Sequence, residues 1–125
     1  MRRTVVVVED EDPCATTLEI ALGQIPELDI RVVHTAEAAR DMIETGTDVC
    51  AVVTDLNLPN ASGMELIQWV RASRANASLP IIVISGETDR QAPARARTLG
   101  ANAFFSKPFS PAEVRRRLED LIHGK

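Results

Sequence analysis

Residues 4–12 read TVVVVEDED, an apolar run followed directly by four carboxylates. The run Thr4–Val8 is typical of a strand that is buried on both faces, because β-branched side chains pack well on a pleated surface. Carboxylates held close together repel one another until a cation neutralises them. The junction therefore predicts a buried strand that ends at a site for a hard cation.

The composition is that of one folded domain. The chain has 125 residues, of which 45% are hydrophobic and 26% charged, and its formal net charge is -4. No apolar stretch approaches the length of about 18 residues that a transmembrane helix needs, and the start at Arg2-Arg3 lacks the apolar region of a signal peptide. We expect one domain over residues 1–125, located in the cytoplasm and without membrane contact, with Cys14 and Cys50 reduced and unpaired.

Four further apolar runs follow the first along the chain. They predict strands at Ile30–Val33, Val49–Thr54, Ile81–Ile84 and Ala103–Ser106. Strands separated by segments of helical length favour right-handed crossovers, and hence a parallel sheet with helices on both faces.

The segments after the strands carry the start signals of helices. A proline in the first turn or a capping residue stands at the head of four of them, at Pro13, Thr35, Ser62 and Ser110. In the remaining segment, Asp89 is the candidate cap, and Pro93 predicts a late start because proline fits only the first turn of a helix. This helix is expected to end at Gly100.

Polar side chains follow four of the five predicted strands. Glu9 and Asp10 end the first strand, Asp55 the third, Ser85 the fourth and Lys107 the fifth. In open parallel sheets, ligands bind at the carboxyl ends of the strands, where the strand order reverses. We therefore expect these side chains to converge on one site.

The chemistry of this set favours phosphoryl transfer. Asp55 is the candidate nucleophile, because a carboxylate can attack a phosphoryl group and form an acyl phosphate. Asp10 and Asp55 can each give an oxygen to Mg²⁺, and Glu9 can act directly or through a water molecule. Lys107 offers a compact positive charge for phosphoryl oxygens, and Ser85 offers a hydroxyl that can donate.

Four ordered blocks resemble the receiver domain of two-component response regulators, of which the chemotaxis response regulator is a single-domain example. The blocks are VVVVEDE at 5–11, VTDLNLP at 53–59 with Ser62-Gly63 after it, IIVISG at 81–86 and FSKPF at 105–109. Together, in this order, they are highly specific, and the match that they define extends over essentially the whole chain. The resemblance implies a flavodoxin-like, doubly wound (βα)5 fold of the α/β class, with a five-stranded parallel sheet in the order 2-1-3-4-5.

The resemblance also implies the role of each acidic residue. Asp55 is expected to be the phosphoacceptor, and Glu9 and Asp10 to form the acidic metal pocket. The backbone carbonyl of Asn57 is expected to be the third protein ligand of Mg²⁺, for which Mn²⁺ could substitute. Glu9 stands where aspartate is commoner in the family, and its extra methylene is expected to alter the geometry or affinity of the metal site.

Three further expectations concern the other side of the pocket. Ser85 and Lys107 correspond to the family residues that contact the phosphoryl group, and the peptide bond between Lys107 and Pro108 is expected to be cis. Phe104 matches the aromatic switch position, which moves inward as Ser85 is drawn to the phosphoryl group. Glu87, beside the pocket, is expected to tune the rate of phosphorylation or of hydrolysis.

The implied function is phosphorelay signalling. A histidine kinase or a histidine phosphotransfer protein would phosphorylate Asp55, and the surface of helix 4, strand 5 and helix 5 would then switch between two states that differ in partner binding or homodimerisation. A domain that phosphorylates and dephosphorylates itself is expected to turn over no external substrate.

Alternatives remain at several residues. Glu11 and Asp12 are interpreted as solvated acids that favour a helix N-terminus. Phe104 can be a passive packing residue instead of a switch. Asp55-Leu56-Asn57 also resembles, loosely, the aspartate motif of haloacid-dehalogenase-like phosphatases, which need a second aspartate where this chain has Asn57. Besides a phosphorylated receiver and a phosphatase, the third possible function is that of a receiver that works only as an interaction module, without phosphorylation.

Charge is unevenly distributed along the chain. Residues 1–65 hold 13 acids and 4 bases, whereas residues 66–125 hold 5 acids and 10 bases. The arginines at 95, 97 and 115–117 lie opposite the apolar stripes of their helices and are not interleaved with aromatic residues. We therefore do not expect this domain alone to bind nucleic acid, and a protein partner is preferred for this face.

Overall fold

The computed structural model describes residues 2–46, 48–86 and 88–123, over which strands and helices alternate. The strands are β1 (Arg3–Val8), β2 (Leu28–Val33), β3 (Val49–Thr54), β4 (Ile81–Ser85) and β5 (Ala103–Ser106). The helices are α1 (Asp12–Leu22), α2 (Ala36–Thr45), α3 (Gly63–Ala72), α4 (Ala92–Leu99) and α5 (Pro111–Ile122). In this part of the chain no helix is both long enough and apolar enough to cross a lipid bilayer.

The strands form one parallel sheet in the order β2-β1-β3-β4-β5. The predicted flavodoxin-like topology is therefore confirmed. The order reverses at β1, because β2 lies on one side of it and the later strands continue on the other. The carboxyl ends of β1 and β3 flank this reversal, which is where a doubly wound sheet leaves a crevice for a ligand.

Both faces of the sheet are covered, as the valine run predicts. Consecutive side chains of a strand point to opposite faces. Accordingly, Val6 and Val8 belong to the apolar core under α2, α3 and α4, whereas Val5 and Val7 belong to the core under α1 and α5. All four valines are fully buried. β1 is thus held rigidly from both sides, and the acids that follow it start from a fixed point.

Three of the predicted helix caps are present. The side-chain oxygens of Thr35, Ser62 and Ser110 each accept a hydrogen bond from the backbone N–H three residues later. These bonds satisfy amides that have no partner inside their own helix. The starts of α2, α3 and α5 therefore agree with the sequence prediction.

The fourth helix begins late and ends before Gly100, as predicted, but Asp89 is not its N-cap. The N-cap is Gln91, and the Asp89 carboxylate instead accepts a hydrogen bond of 2.9 Å from the Gln91 amide. The reason is local. Asp89 folds back onto the amide two residues later, which makes a turn ahead of the helix.

Candidate functional site

A pocket of about 420 Å³ opens at the carboxyl ends of the strands. It is lined by Asp10, Glu11, Asp55, Asn57, Gly86 and Lys107. These residues belong to four separate stretches of the sequence, each of which follows a different strand. The convergence on which the phosphoryl-transfer hypothesis depends is therefore present.

Asp55 is the best-anchored acid of the pocket. It directly follows β3 and is 5% exposed, and its amide donates to the Val8 carbonyl of β1 at 3.0 Å. Its Oδ1 accepts from the Asn57 amide at 3.1 Å, and its Oδ2 accepts from Lys107 Nζ at 2.9 Å. A carboxylate fixed by two donors, with its backbone tied to β1, has little freedom to turn away from the pocket.

Gly63 packs against the backbone of Asp55 and Leu56. A Cβ atom at this first residue of α3 would lie 2.9 Å from the Leu56 Cα and 3.1 Å from the carbonyl carbon of Asp55, and still closer to the carbonyl oxygen of Asp55. The Gly63 amide also donates to the Leu56 carbonyl at 2.9 Å. The start of α3 therefore packs directly on the backbone that carries the candidate nucleophile, and only glycine leaves the necessary space.

Lys107 connects three carboxylates. Its Nζ lies 2.8 Å from Glu11 Oε1, 2.9 Å from Asp55 Oδ2 and 3.0 Å from Glu9 Oε1. Partial burial by itself lowers the pKa of the Lys107 ammonium, but hydrogen bonds to Glu11 and Asp55 and the contact with Glu9 outweigh burial and raise the pKa above its ordinary value. The predicted cis peptide bond to Pro108 is present.

Glu9 is a buried acid that is ion-paired with Lys107. It is 1% exposed, and its Oε2 accepts from the Glu11 amide at 3.2 Å. Its Oε1 lies 3.0 Å from Lys107 Nζ without the geometry of a hydrogen bond, and no other group of the described residues donates to it. Carboxylate oxygens of Glu9, Glu11 and Asp55 lie within 4.8 Å of one another. Closely spaced oxygen donors of this kind fit Mg²⁺ or Mn²⁺, which neutralise such a cluster.

The acidic cluster differs in one member from the predicted one. Asp10 lines the pocket, but its carboxylate is not among the described acids that share the 4.8 Å cluster, whereas that of Glu11 is. The sequence predicts Glu11 to be a helix-terminal acid, and it is the N-cap of α1 without making a side-chain cap. Pro13 follows as the second helical residue and has no N–H to offer, so one of the usual capping donors is missing.

Asp12, in contrast, lies in the first turn of α1, as interpreted from the sequence. No sequence signal pointed to the contact of Glu11 with Lys107. An acid before a helix ordinarily faces the amides of that helix.

Ser85 and Phe104 belong to the strands β4 and β5, which lead to Gly86 and Lys107 of the pocket. Ser85 ends β4, is fully buried, and accepts a hydrogen bond of 2.9 Å from the Lys107 amide through its carbonyl oxygen. Phe104 is half-buried in β5 and packs against the core under α2, α3 and α4, while Phe105 packs against the opposite core. The switch role of Phe104 stays a prediction, and Glu87 lies outside the described residues.

Cys14 stands beside the acidic cluster as a neutral thiol. Burial raises the pKa of Cys14 to about 12, and a hydrogen bond to Glu9 and the charge of Glu9 act in the same direction. Burial also raises the pKa of Cys50. Both cysteines are free, which agrees with the expectation of unpaired thiols.

Cys14 is therefore expected to resist alkylation. Because the thiolate is the reactive form, raising the pKa from 9.0 to about 12 lowers the reactive fraction at pH 8. Iodoacetamide should modify Cys14 roughly 1000-fold more slowly in the folded protein than in urea, as followed by mass spectrometry of the peptides. Equal rates in the two conditions would contradict the raised pKa.

Known proteins resemble the chain over nearly its full length. The family model described as the response regulator receiver domain matches residues 5–119. The chemotaxis protein CheY homolog of Campylobacter jejuni is 28% identical over 117 residues, which cover 94% of this chain and 90% of that protein.

Two further comparisons extend this result. The phosphate regulon transcriptional regulatory protein PhoB of Pseudomonas aeruginosa is 25% identical over 96% of this chain and 52% of its own length. The crystal structure of a response regulator receiver protein from Pseudomonas putida superposes with a TM-score of 0.82 at 30% identity, covering 100% of this chain and 98% of the other. The similarity thus includes all the strand ends that build the pocket.

Proposed function

Because the chain belongs to the response regulator receiver domain family, in which phosphorylation on aspartate and Mg²⁺ are general features, we propose that Asp55 is the phosphoacceptor of this protein. One observation carries the proposal. The buried Asp55 carboxylate lies 2.9 Å from the Lys107 ammonium, in a pocket that further acids share. A residue that only formed a turn would not need a carboxylate that is buried among other carboxylates.

The donor is a phosphohistidine on a histidine kinase or a phosphotransfer protein, partners with which receiver domains interact in general. A carboxylate oxygen of Asp55 attacks phosphorus and forms a new O–P bond while the P–N bond of the phosphohistidine breaks. The imidazole nitrogen leaves with the electron pair of that bond and takes up a proton. The product is an acyl phosphate on Asp55.

The pocket supplies the charge that this transfer needs. Negative charge spreads over three phosphoryl oxygens in the transition state, and the Lys107 ammonium is near enough to Asp55 to stabilise it. Glu9, Asp10, Asp55 and the backbone carbonyl of Asn57 are the groups that we expect to hold Mg²⁺ or Mn²⁺, whose charge would neutralise the phosphoryl oxygens further. The buried Oε1 of Glu9, which accepts no hydrogen bond from the described residues, supports this assignment.

Phosphorylation is proposed to switch the surface formed by α4, β5 and α5. The carbonyl of Ser85 accepts from the Lys107 amide at 2.9 Å, so the ends of β4 and β5 are joined beside the pocket. When the Ser85 hydroxyl and the Lys107 ammonium turn to the phosphoryl group, the loop after β4 follows and Phe104 repacks. The output is a change in partner binding or homodimerisation.

Turnover of an external substrate is not part of the proposal. Asn57 stands two residues after Asp55, where a phosphatase of the haloacid-dehalogenase type needs a second acid. Location in the cytoplasm stays a prediction from the sequence.

Beryllium fluoride tests the proposal, because it mimics a phosphoryl group on a carboxylate. In amide NMR spectra, Mg²⁺ and beryllium fluoride together should shift the signals of Asn57, Gly86 and Lys107, and also those of Phe104 on β5. Without Mg²⁺ the shifts should be absent. Shifts that do not require Mg²⁺, or that spare the pocket, would refute the assignment of the site.

A further inference from the structure

Three carboxylates already surround the Lys107 ammonium, to which an incoming phosphoryl group must bind. An ammonium carries three hydrogens, and Lys107 Nζ lies within 3.0 Å of three carboxylates. The contacts with Glu11 and Asp55 are hydrogen bonds. A phosphoryl oxygen that binds Lys107 must therefore compete with these three carboxylates for the ammonium.

Glu11 is the contact that opens most easily. The Glu9 and Asp55 side chains are 1% and 5% exposed, whereas that of Glu11 is 65% exposed. Withdrawing the ammonium from a buried carboxylate leaves an uncompensated buried charge, which is costly. The exposed Glu11 carboxylate, in contrast, is rehydrated when it is released.

The backbone around Glu11 explains why its side chain reaches the pocket. Glu11 is the N-cap of α1 but caps no amide of that helix, and its Oε1 accepts from Lys107 at 2.8 Å. Asp12, the next acid of the run, begins the helix and does not line the pocket. The two neighbouring acids therefore differ in their contact with Lys107, although they carry the same charge.

We propose that Glu11 is an autoinhibitory contact that holds Lys107 and slows phosphorylation of Asp55. The inference rests on the function proposed above, and it concerns the rate of phosphorylation, not the ability of Asp55 to be phosphorylated. Exposed ion pairs are weak, so loss of the contact should accelerate labelling about two- to fivefold.

Three variants separate the contact from the charge. Glu11→Asp keeps the charge but shortens the side chain, and aspartate at an N-cap favours the amides of its own helix, so the contact with Lys107 is lost. Glu11→Ala removes both the contact and the charge. Asp12→Asn removes one neighbouring charge and leaves the contact in place.

The readout is the initial rate of labelling by phosphoramidate at saturating Mg²⁺, with the dissociation constant of Mg²⁺ measured by calorimetry. We expect Glu11→Asp and Glu11→Ala to be labelled about two- to fivefold faster than the wild-type protein, and Asp12→Asn at the wild-type rate. The dissociation constant of Mg²⁺ should stay unchanged in Glu11→Asp.

Other patterns overturn the inference. If Asp12→Asn and Glu11→Ala are equally accelerated while Glu11→Asp is not, general charge repulsion explains the effect. If both Glu11 variants are labelled more slowly and bind Mg²⁺ more weakly, Glu11 is instead a ligand of the metal ion. If the Glu11 variants and the wild-type protein are labelled at equal rates, the inference about Glu11 is wrong but the proposed function stands. If the wild-type protein is not labelled at all, the proposed function is wrong as well.

Discussion

Asp55→Asn is expected to reduce Mg²⁺-dependent labelling by phosphoramidate to background, a loss of at least about 10³-fold. The amide has nearly the shape of the carboxylate and keeps an oxygen for the hydrogen bond from the Asn57 amide. It is a far weaker nucleophile than a carboxylate, so no acyl phosphate forms. The substitution therefore removes the nucleophile, and it also removes the carboxylate oxygen that accepts from Lys107 Nζ.

The measurement is the mass of the intact protein after incubation with the donor, with and without Mg²⁺. Asp41→Asn is the matched control, because Asp41 is exposed on α2 and lies outside the pocket, and this variant should be labelled like the wild-type protein. Undiminished labelling of Asp55→Asn would show that another residue accepts the phosphoryl group.

Gly63→Ala is expected to have the second largest effect, a loss of about 1–3 kcal/mol in the free energy of unfolding together with slower labelling. The added methyl group would overlap the backbone of Asp55 and Leu56. Backbone atoms cannot rotate out of the way as a flexible side chain can. The start of α3 must then move away from the loop that carries Asp55, and the hydrogen bond from the Gly63 amide to the Leu56 carbonyl is weakened.

Urea unfolding followed by circular dichroism measures the stability part of this prediction. Gly86→Ala is the control, because a Cβ at Gly86 would meet no atom nearer than 3.8 Å, and we expect a change of no more than about 1 kcal/mol. A Gly63→Ala protein as stable as the Gly86→Ala protein would mean that α3 does not pack tightly against the loop that carries Asp55.

Most of the fold could be predicted because its signals are local. The run Thr4–Val8 predicts a strand buried on both faces, and the valines divide between the two cores as alternation requires. Thr35, Ser62 and Ser110 mark helix starts because their side chains bond to amides only three residues away. Asp89 was the exception, since its carboxylate bonds instead to the amide of Gln91, ahead of the helix.

The candidate site was predictable in its members but not in its contacts. Polar residues placed directly after parallel strands must reach the same edge of the sheet, which brings Asp10, Asp55 and Lys107 to one pocket. The sequence could not tell which acid of the run 9–12 would turn toward Lys107. Rotation of one side chain at the start of α1 decides between a helix cap and a pocket ligand.

The sequence by itself thus determined the succession of strands and helices along the chain, the burial of β1 and the residues at the strand ends. Hydrophobic periodicity and helix capping act over only a few residues, so local patterns contain this information. Only the tertiary structure decided that Glu11 binds Lys107, a residue 96 positions away, and that Glu9 Oε1 is buried 3.0 Å from the same ammonium. The physical reason is distance. Contacts between side chains that are remote in the sequence depend on how α1 and β5 are packed on the sheet, and local patterns do not contain that information.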